Sequence, residues 1–374
     1  MMTNALAVRS VPHRFYSLDV LRGIAALSVV FWHWQHFFFE GTRKPPVALE
    51  ALPFYDVFFA VYSKGWLGVD LFFCLSGFIF YWLYSSAVAS AAVSGRDFFV
   101  LRFSRLYPLH LATLLAVAIG QALFLRTTDS YFVYAHNDAY HFVLNLLFAP
   151  AWGFEDSPSF NAPVWSVSVE VALYVLFFGL CRLLPVRPGV LLAAAAAGLV
   201  LMEVYLPLGR GISAFFIGGC VYLAYQRIVA SSRTEALARW LPWLAAALWV
   251  LAIVFAPGAG QSYLGARLMH LYAAALLFPL TVLALALVET RRGHLMRRAS
   301  ILGDISYSSY LLHFPLQFAV VGFVVWIGLD RGIFYSAWTF VAFLVLLMAV
   351  SLASHRFLEL PAQRVLRRHA LTPR

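Results

Sequence analysis

Long apolar runs, separated by short polar segments, follow one another along almost the whole chain. Runs of about 18 or more apolar residues are typical of membrane spans, because roughly 20 helical residues cross the hydrocarbon core. The pattern predicts an all-α integral membrane protein built as a bundle of about ten transmembrane helices. The predicted spans are roughly 17–39, 66–86, 100–125, 163–183, 187–206, 210–228, 239–256, 266–288, 305–328 and 334–356.

Composition supports one membrane domain rather than several soluble ones. The chain has 374 residues, of which 62% are hydrophobic and 12% are charged, and no segment is polar enough to form a separate soluble domain. We therefore predict a single domain over 1–374, with its spans within 17–356 and a cytoplasmic tail at 357–374. The first apolar run is long and follows Arg14 closely, so we predict a retained span and not a cleaved signal peptide.

The charged residues are distributed unevenly between the two sides of the predicted bundle. The net charge is +10, and cytoplasmic loops of membrane proteins collect Lys and Arg. The longest loop, 126–162, holds four acidic residues and one arginine, whereas the short segment 291–298 alone holds four arginines. This asymmetry predicts that both termini are cytoplasmic, and it explains the net charge without a nucleic-acid partner. Within the long loop, 141–148 is predicted to be a short interfacial helix.

The three cysteines, Cys74, Cys181 and Cys220, each lie inside an apolar run. Such positions fit buried, reduced thiols better than a disulfide framework or a set of metal ligands. The sequence therefore predicts no metal centre.

The first predicted span, LDVLRGIAALSVVFWHWQHFFF, carries four ionisable residues. Arg22 and His33 are 11 residues apart, which is about three helical turns and returns to nearly the same face. Ionisable groups inside a bilayer usually face the bundle interior or a wet cavity. His33 is therefore a candidate general base, although a structural histidine bonded to a backbone carbonyl is the alternative. For His36, nearer the interface, we favour the structural interpretation.

Two other predicted spans bring carboxylates into the outer half of the membrane. In PVWSVSVEVALY, Glu170 lies roughly 10 Å down the helix, and Ser166 is four residues earlier on the same face. Asp70, in GWLGVDLFFCLSGFIF, is about one turn into its span. A histidine with a nearby carboxylate is the minimum equipment for general base catalysis, so His33, Glu170 and Asp70 are the catalytic candidates. Proton-coupled transporters use the same residue types, so the reaction stays open at this point.

The stretch FVLRFSRLYPLH places Arg102 and Arg105 one turn apart at the inner end of the third predicted span. Arg22 lies at a similar level in the first span. Three guanidinium groups around one opening at the inner end of the bundle would bind phosphates through forked hydrogen bonds. The alternative is that these arginines only set the topology and extend toward lipid headgroups.

A further polar stretch, LGDISYSSYLLHFPL, opens the ninth predicted span. His313 lies about two turns beyond Ile305 and is followed by Pro315, which can kink a helix. The stretch is predicted to form the polar wall of a cavity, with packing as the alternative. Trp165, Ser166 and His313 are our candidates for substrate binding.

Together these motifs resemble the family-3 membrane acyltransferases, and they occur in that family's order over nearly the whole chain. The matching pieces are LDVLRGIAALSVVFWH at 18–33, GVDLFFCLSGFIF at 68–80, RFSRLYP at 102–108, WSVSVEVALY at 165–174, LGDISYSSYLLHFPL at 302–316 and HRFLELPAQRVLRR at 355–368.

The resemblance implies a ten-helix bundle that takes an acyl group from cytoplasmic acyl-CoA, usually acetyl-CoA, and transfers it to a hydroxyl. It implies that Arg22 and His33 are essential and that Arg102 and Arg105 meet the acyl donor. Glu170 matches the acid of the fourth-helix motif. Many members add a C-terminal extracytoplasmic esterase-like domain, and we expect this chain to be a short form without it.

We therefore expect an acyl-CoA-dependent O-acyltransferase of the bacterial cytoplasmic (inner) membrane, surrounded by membrane lipid. Its acceptor is expected to be an exported or lipid-linked glycan of the exopolysaccharide or O-antigen type, with His33 as general base or acyl relay. The alternative is a proton-coupled transporter or flippase for a glycolipid. A non-enzymatic partner in a polysaccharide export complex would leave His33 and the arginines without a role.

Overall fold

The computed structural model describes residues 12–255 and 262–370, and they form fifteen α-helices joined by loops and short 3₁₀ and π turns. The helices, numbered α1 to α15 in chain order, are Tyr16–Trp32, Tyr55–Lys64, Gly68–Ala89, Gly95–Thr128, Ala139–Leu146, Trp165–Leu183, Pro188–Leu201, Leu206–Val229, Thr234–Phe255, Tyr263–Tyr272, Phe278–Arg292, Ile301–Asp304, Ser306–Trp326, Ala337–Ser354 and Leu360–Ala370. The predicted all-α class is confirmed for these residues, and α5 occupies the position of the predicted interfacial helix.

Eight helical segments of the described chain are long and apolar enough to cross a membrane. The other two predicted spans, 17–39 and 187–206, correspond to α1 and α7, which have 17 and 14 residues. At 1.5 Å per residue, these helices are about 26 and 21 Å long, somewhat less than the hydrocarbon thickness. The count of ten crossings therefore stays a prediction.

Three predicted boundaries differ from the structure. The α-helix of the first span ends at Trp32, and the chain continues as a 3₁₀ helix over His33–Phe38. The second span begins earlier than predicted, at Tyr55, because α2 and α3 follow each other with only a 3₁₀ turn between them. The predicted tail 357–374 is helical as far as Ala370, and its helix α15 packs along α4.

The start of α1 is held by a carboxylate from a distant helix. Phe15, at the N-cap, has no side chain that can accept from the first turn. Glu289 of α11 instead accepts from the backbone N–H groups of Tyr16 and Ser17 at 2.9 and 2.8 Å, and from the Ser17 hydroxyl at 2.6 Å. A negative group at a helix N-terminus satisfies free N–H donors and opposes the helix dipole. This contact fixes the polar end of α1, and so the level at which Arg22 lies.

Two glycines allow α3 and α8 to touch through their backbones. A Cβ at Gly77 would collide with the carbonyl of Phe215, and one at Gly218 would collide with that of Cys74. Small residues permit such close helix crossings in membrane proteins. The crossing packs α8 against α3, which lines the candidate site.

The sidedness of the bundle is open to a direct test. The distribution of Lys and Arg predicts that a reporter fused at Glu155 lies outside and one fused at Arg297 lies inside. Paired alkaline phosphatase and fluorescent protein fusions would measure this. Both reporters on the same side would contradict the ten-span topology.

Candidate active site

An arginine-lined cavity lies between α1, α3, α4, α6 and α13. It encloses about 940 Å³ of unfilled space, open solvent included. The polar groups around it include Asp19, Arg22, Arg102, Arg105, Ser166, Glu170, Tyr174, Tyr307 and Tyr310. The three arginines, which come from two predicted spans, thus line one space, which we call the arginine cavity.

Arg22 is held in place by hydrogen bonds to α12 and to the start of α13. Its Nε donates to the Ser306 hydroxyl at 3.0 Å, and one Nη donates to the Gly303 carbonyl at 2.7 Å. Asp19, one turn earlier, lies 3.2 Å from the same Nη. The guanidinium is therefore preorganised at the cavity wall, with its charge only partly compensated.

Arg102 and Arg105 have fewer partners. Arg102 donates to the hydroxyl of Tyr84 and lies over the rings of Phe80 and Tyr84, with its guanidinium carbon 5.1 and 4.7 Å from the ring centres. Its Nε is buried and has no hydrogen-bond partner among the described residues. A buried donor without a partner is costly in a folded protein. This geometry favours an anionic ligand in the cavity.

Glu170 lies in the arginine cavity and not beside His33. Its carboxylate accepts from the hydroxyl of Tyr174 at 2.7 Å and from that of Ser76 at 3.4 Å. We predicted that a carboxylate would orient His33, with Glu170 as the candidate at a similar depth. The structure instead places Glu170 in the wall of the arginine cavity.

A second cavity is lined by the end of α1, the long loop and the first turns of α8, together with Val69 of α3 and Tyr310 of α13. It contains about 1730 Å³ of unfilled space, open solvent included. His33, His36, Trp66, Trp165 and Arg210 contribute to its wall. We call it the histidine cavity, and its aromatic side chains offer flat surfaces against which a sugar ring can pack.

His33 and His313 are joined ring to ring. Nε2 of His313 lies 2.9 Å from Nδ1 of His33, and Nδ1 of His313 lies 2.5 Å from the backbone carbonyl of Tyr310. Because a carbonyl only accepts, Nδ1 of His313 must carry the hydrogen, and its Nε2 must then accept in the neutral ring. His33 therefore donates from Nδ1, and its Nε2 keeps a free lone pair. Two neutral histidines in this order leave His33 ready to accept a proton.

The chain around His33 is fixed by further contacts. Gln317 donates to the His33 carbonyl at 3.0 Å, and this bond joins α13 to the end of α1. His36 stacks on His33 with ring centres 4.6 Å apart. His33 remains 7% exposed, whereas His313 is fully buried. His33 is thus the imidazole that lines the histidine cavity, and His313 lies behind it. The predicted role of His313 in substrate binding stays a prediction.

The two cavities meet at Val69 and Tyr310, which line both. The Tyr310 hydroxyl donates to the Pro163 carbonyl at 3.0 Å and lies 2.8 Å from the Ser166 hydroxyl. Ser166, predicted to bind substrate, lines the arginine cavity, whereas Trp165 lines the histidine cavity. A hydrogen-bonded pair of side chains, Tyr310 and Ser166, therefore stands at the junction.

Asp70 takes part in a buried ion network. Its carboxylate accepts from Arg210 at 2.6 and 3.1 Å and lies 2.9 Å from Nε2 of His270. It is fully buried and lies outside the walls of both cavities. Arg210 in turn lies over the rings of Trp66 and Trp165. The network ties α3, α8 and α10 together around Asp70. The predicted catalytic role of Asp70 stays a prediction.

Glu155 is an acid of the histidine cavity that the sequence did not single out. It accepts from the Ser159 hydroxyl at 2.6 Å and lies 3.3 Å from the Asn145 amide nitrogen. Burial raises the pKa of Glu155, while the hydrogen bond from Ser159 opposes the shift. A carboxyl group that holds its proton to higher pH can donate to a ligand as well as accept from one.

The structure also bears on the predicted thiols and on the absence of metal. Cys74 and Cys181 are buried free thiols, and Cys220 is partly buried. His136, Asp138 and His141 hold their ligand atoms within 4.8 Å of one another, but Asp138 already caps α5 by accepting from the backbone N–H of His141. The absence of a metal centre stays a prediction.

The contacts that complete the site were not visible in the sequence. His33 and His313 are separated by 280 residues, and no local spacing relates them. Arg210 lies in an apolar helix and was not singled out, although a charge within a predicted span is itself a signal. The recurrence of small polar residues before His313 was the one hint that α13 faces a polar space.

Comparison with known proteins identifies the family. The model of an acyltransferase domain, family 3, matches residues 15–356. No solved structure matches the chain. Among curated proteins, 117 residues are 35% identical to "Protein 2 in picA locus" of Rhizobium radiobacter, and 180 residues are 33% identical to acyltransferase MdmB of Streptomyces mycarofaciens.

These two matches cover 31% and 46% of the chain, and they span only 49% and 42% of the length of those relatives. The protein named "Putative membrane-bound transacylase BcsY" of Komagataeibacter xylinus is 27% identical over 346 residues, which are 86% of this chain and 81% of BcsY. Since the family model covers most of the chain, the protein belongs to acyltransferase family 3 and is a multi-pass membrane protein.

Proposed function

We propose that the protein transfers an acyl group, usually acetyl, from acyl-CoA to a hydroxyl of an exported or lipid-linked glycan. One observation carries the proposal: an arginine cavity and a histidine cavity meet at Tyr310 and Val69. The first suits the phosphates of an acyl donor, and the second suits a hydroxyl acceptor and its base. A transporter would have no use for an arginine cavity separated in this way from the histidine.

The acyl donor would be acetyl-CoA, which enters from the arginine side. Arg22, Arg102 and Arg105 would bind its phosphates through charge-assisted hydrogen bonds. The pantetheine arm would then extend toward Tyr310, so that the thioester reaches the junction of the cavities. Burial of the thioester there would limit its contact with water.

The reaction would take place between the thioester and an acceptor in the histidine cavity. The acceptor oxygen attacks the thioester carbonyl while its proton passes to Nε2 of His33. The C–S bond then breaks, and the proton returns from His33 to the leaving CoA sulfur. His313 accepts from Nδ1–H of His33 and stabilises the positive charge that develops on the ring. The products are the acyl ester and free CoA.

The same residues would also support a relay, in which His33 is acylated first and the acceptor attacks second. Rapid-quench mass spectrometry with acetyl-CoA and no acceptor separates the two routes. A mass increase of one acetyl group on the peptide that contains His33 would support the relay, and an unmodified peptide would support direct transfer.

The glycan acceptor rests on the resemblance of the motifs and on the aromatic wall of the histidine cavity. Trp66 and Trp165 sit at that wall over the guanidinium of Arg210. The relatives come from bacteria, which supports a place in a bacterial cytoplasmic membrane.

The function is tested by mass spectrometry of surface glycans from cells with and without the protein, together with acetyl-CoA binding by the purified chain. The expected result is an acetyl mass difference on one glycan and saturable binding of acetyl-CoA. Glycolipid movement across vesicles without acetyl-CoA binding would contradict the proposal and favour the flippase.

Tyr310 provides a test of the junction between the cavities. Tyr310→Phe keeps the ring but removes the hydrogen bonds to Pro163 and Ser166. Because a hydrogen bond contributes about 0.5–1.5 kcal/mol net, we expect hydrolysis of acetyl-CoA without acceptor to rise about 2–10-fold. Free thiol release measures this rate.

Tyr307→Phe is the matched control, since Tyr307 lines the arginine cavity and donates its hydroxyl hydrogen to the Leu106 carbonyl. Equal hydrolysis rates in both variants would contradict the prediction that Tyr310 limits contact between water and the thioester.

A further inference from the structure

The C-terminal helix α15 lies against the part of α4 that carries the two arginines. Arg367 of α15 donates from Nε to the Ser104 hydroxyl at 3.1 Å and from one Nη toward the Leu101 carbonyl at 3.4 Å. Ser104 stands between Arg102 and Arg105 in the chain. These contacts hold Arg367 beside the arginine pair.

Arg102 and Arg105 are near enough for their positive charges to act on the guanidinium of Arg367. Within 12–255 and 262–370, no carboxylate oxygen lies within 4.0 Å of the guanidinium nitrogens of these three residues. Like charges that are held near one another repel, and more strongly at a protein surface than in bulk water. A folded chain that holds three such groups together gains stability when an anion binds among them.

We propose that Arg367 is a further arginine of the acyl-donor site and that it binds the nucleotide phosphates of CoA. The inference rests on the proposed acyl-CoA donor. Nε and one Nη of Arg367 are used on α4, which leaves the second Nη free to donate to a phosphate oxygen. The arginine is thus preorganised, because its contacts to α4 fix its direction before the ligand arrives.

Helix α15 also suggests a different explanation for Arg367, and its other arginines provide the control variants. A helix rich in arginine at a membrane surface can serve only to contact anionic lipid headgroups. Arg364 and Arg368 are exposed on α15, whereas Arg367 is half-buried against α4. If lipid contact were the whole role, the three arginines would be equivalent or the exposed pair would matter more.

The test uses the full chain in nanodiscs of neutral lipid. Binding of acetyl-CoA and of S-acetylpantetheine, which lacks the nucleotide and its phosphates, is measured for wild type, Arg367→Gln, Arg364→Gln and Arg368→Gln. We expect Arg367→Gln to weaken acetyl-CoA binding about 10–100-fold, as for loss of a hydrogen bond between charged groups. Binding of S-acetylpantetheine should not change, and both controls should stay within about twofold of wild type.

Two results would overturn the inference about Arg367 without contradicting the proposed acetyl-CoA donor. One is an Arg367→Gln variant that binds acetyl-CoA as the two controls do. The other is an equal loss for both ligands, which would mean that Arg367 only packs α15 against α4. If wild-type protein did not bind acetyl-CoA at all, the proposed donor would fail as well, so the two failures are distinguishable.

Discussion

His33→Ala should lower acyl transfer by about 10²–10⁴-fold, the usual contribution of a positioned general base, while leaving acetyl-CoA affinity unchanged. The reason is the separation of the two cavities. His33 lies in the histidine cavity, and its free lone pair is on Nε2. The arginines that would bind phosphates line the arginine cavity, on the other side of Tyr310. Transfer rate and acetyl-CoA binding, measured on the same preparation, provide the two readouts.

His36→Ala is the matched control for this substitution. His36 lines the same cavity and stacks on His33, so its loss also removes an imidazole and leaves a similar space. We expect a smaller effect on transfer. If His33→Ala kept most of the activity, or fell no further than His36→Ala, His33 would be structural.

His313 should act only through His33. His313→Ala removes the acceptor that fixes the tautomer of His33, so kcat should fall while acetyl-CoA affinity stays the same. Added to His33→Ala, the same change should have little further effect, because residues that act as one unit are not additive. A double variant that loses the full product of both single effects would show that His313 has an independent role.

The sequence predicted which residues line a cavity better than it predicted the contacts that those residues make. Helical rise and span order placed Arg22, Arg102 and Arg105 at one level, and the structure brings them to one cavity. Rise alone, however, gives the depth of a side chain and not the neighbour that it meets. Glu170 was expected beside His33 because their depths were similar, yet rotation of α6 points it at Tyr174 and Ser76.

Asp70 illustrates the same limit. A lone acid one turn inside an apolar helix is a reasonable catalytic candidate from sequence, since buried charges are costly. Its partners, Arg210 and His270, come from helices 140 and 200 residues away. Only the folded bundle shows that the charge is already neutralised.

The same holds for helix boundaries, which depend on groups outside the helix. The N-terminus of α1 is capped by Glu289, 273 residues later, so no local capping signal marked it. The apolar run continued past Trp32, although its backbone changes there to a 3₁₀ helix that turns His33 toward His313. The hydrophobic pattern identified the span, and tertiary contacts decided where its regular geometry ends.

Arg105→Ala should weaken acetyl-CoA binding by about one to two decades, which corresponds to a loss of about 1.5–3 kcal/mol for a hydrogen bond between charged groups. Arg105 lines the arginine cavity, and among the described residues no carboxylate oxygen lies within 4.0 Å of its guanidinium. Its loss leaves no buried acid unpaired, so the protein should insert and purify normally.

Calorimetric titration of acetyl-CoA into the purified chain measures this change, and the salt dependence of affinity provides a second readout. Removal of one phosphate contact should make the affinity less sensitive to salt, because screening acts on each exposed charge pair. Arg126→Ala is the control, since Arg126 ends α4 at the opposite end from Arg105 and is exposed. If Arg22→Ala, Arg102→Ala and Arg105→Ala all bound acetyl-CoA as Arg126→Ala does, the arginines would serve topology alone. The acyl donor would then have to bind elsewhere.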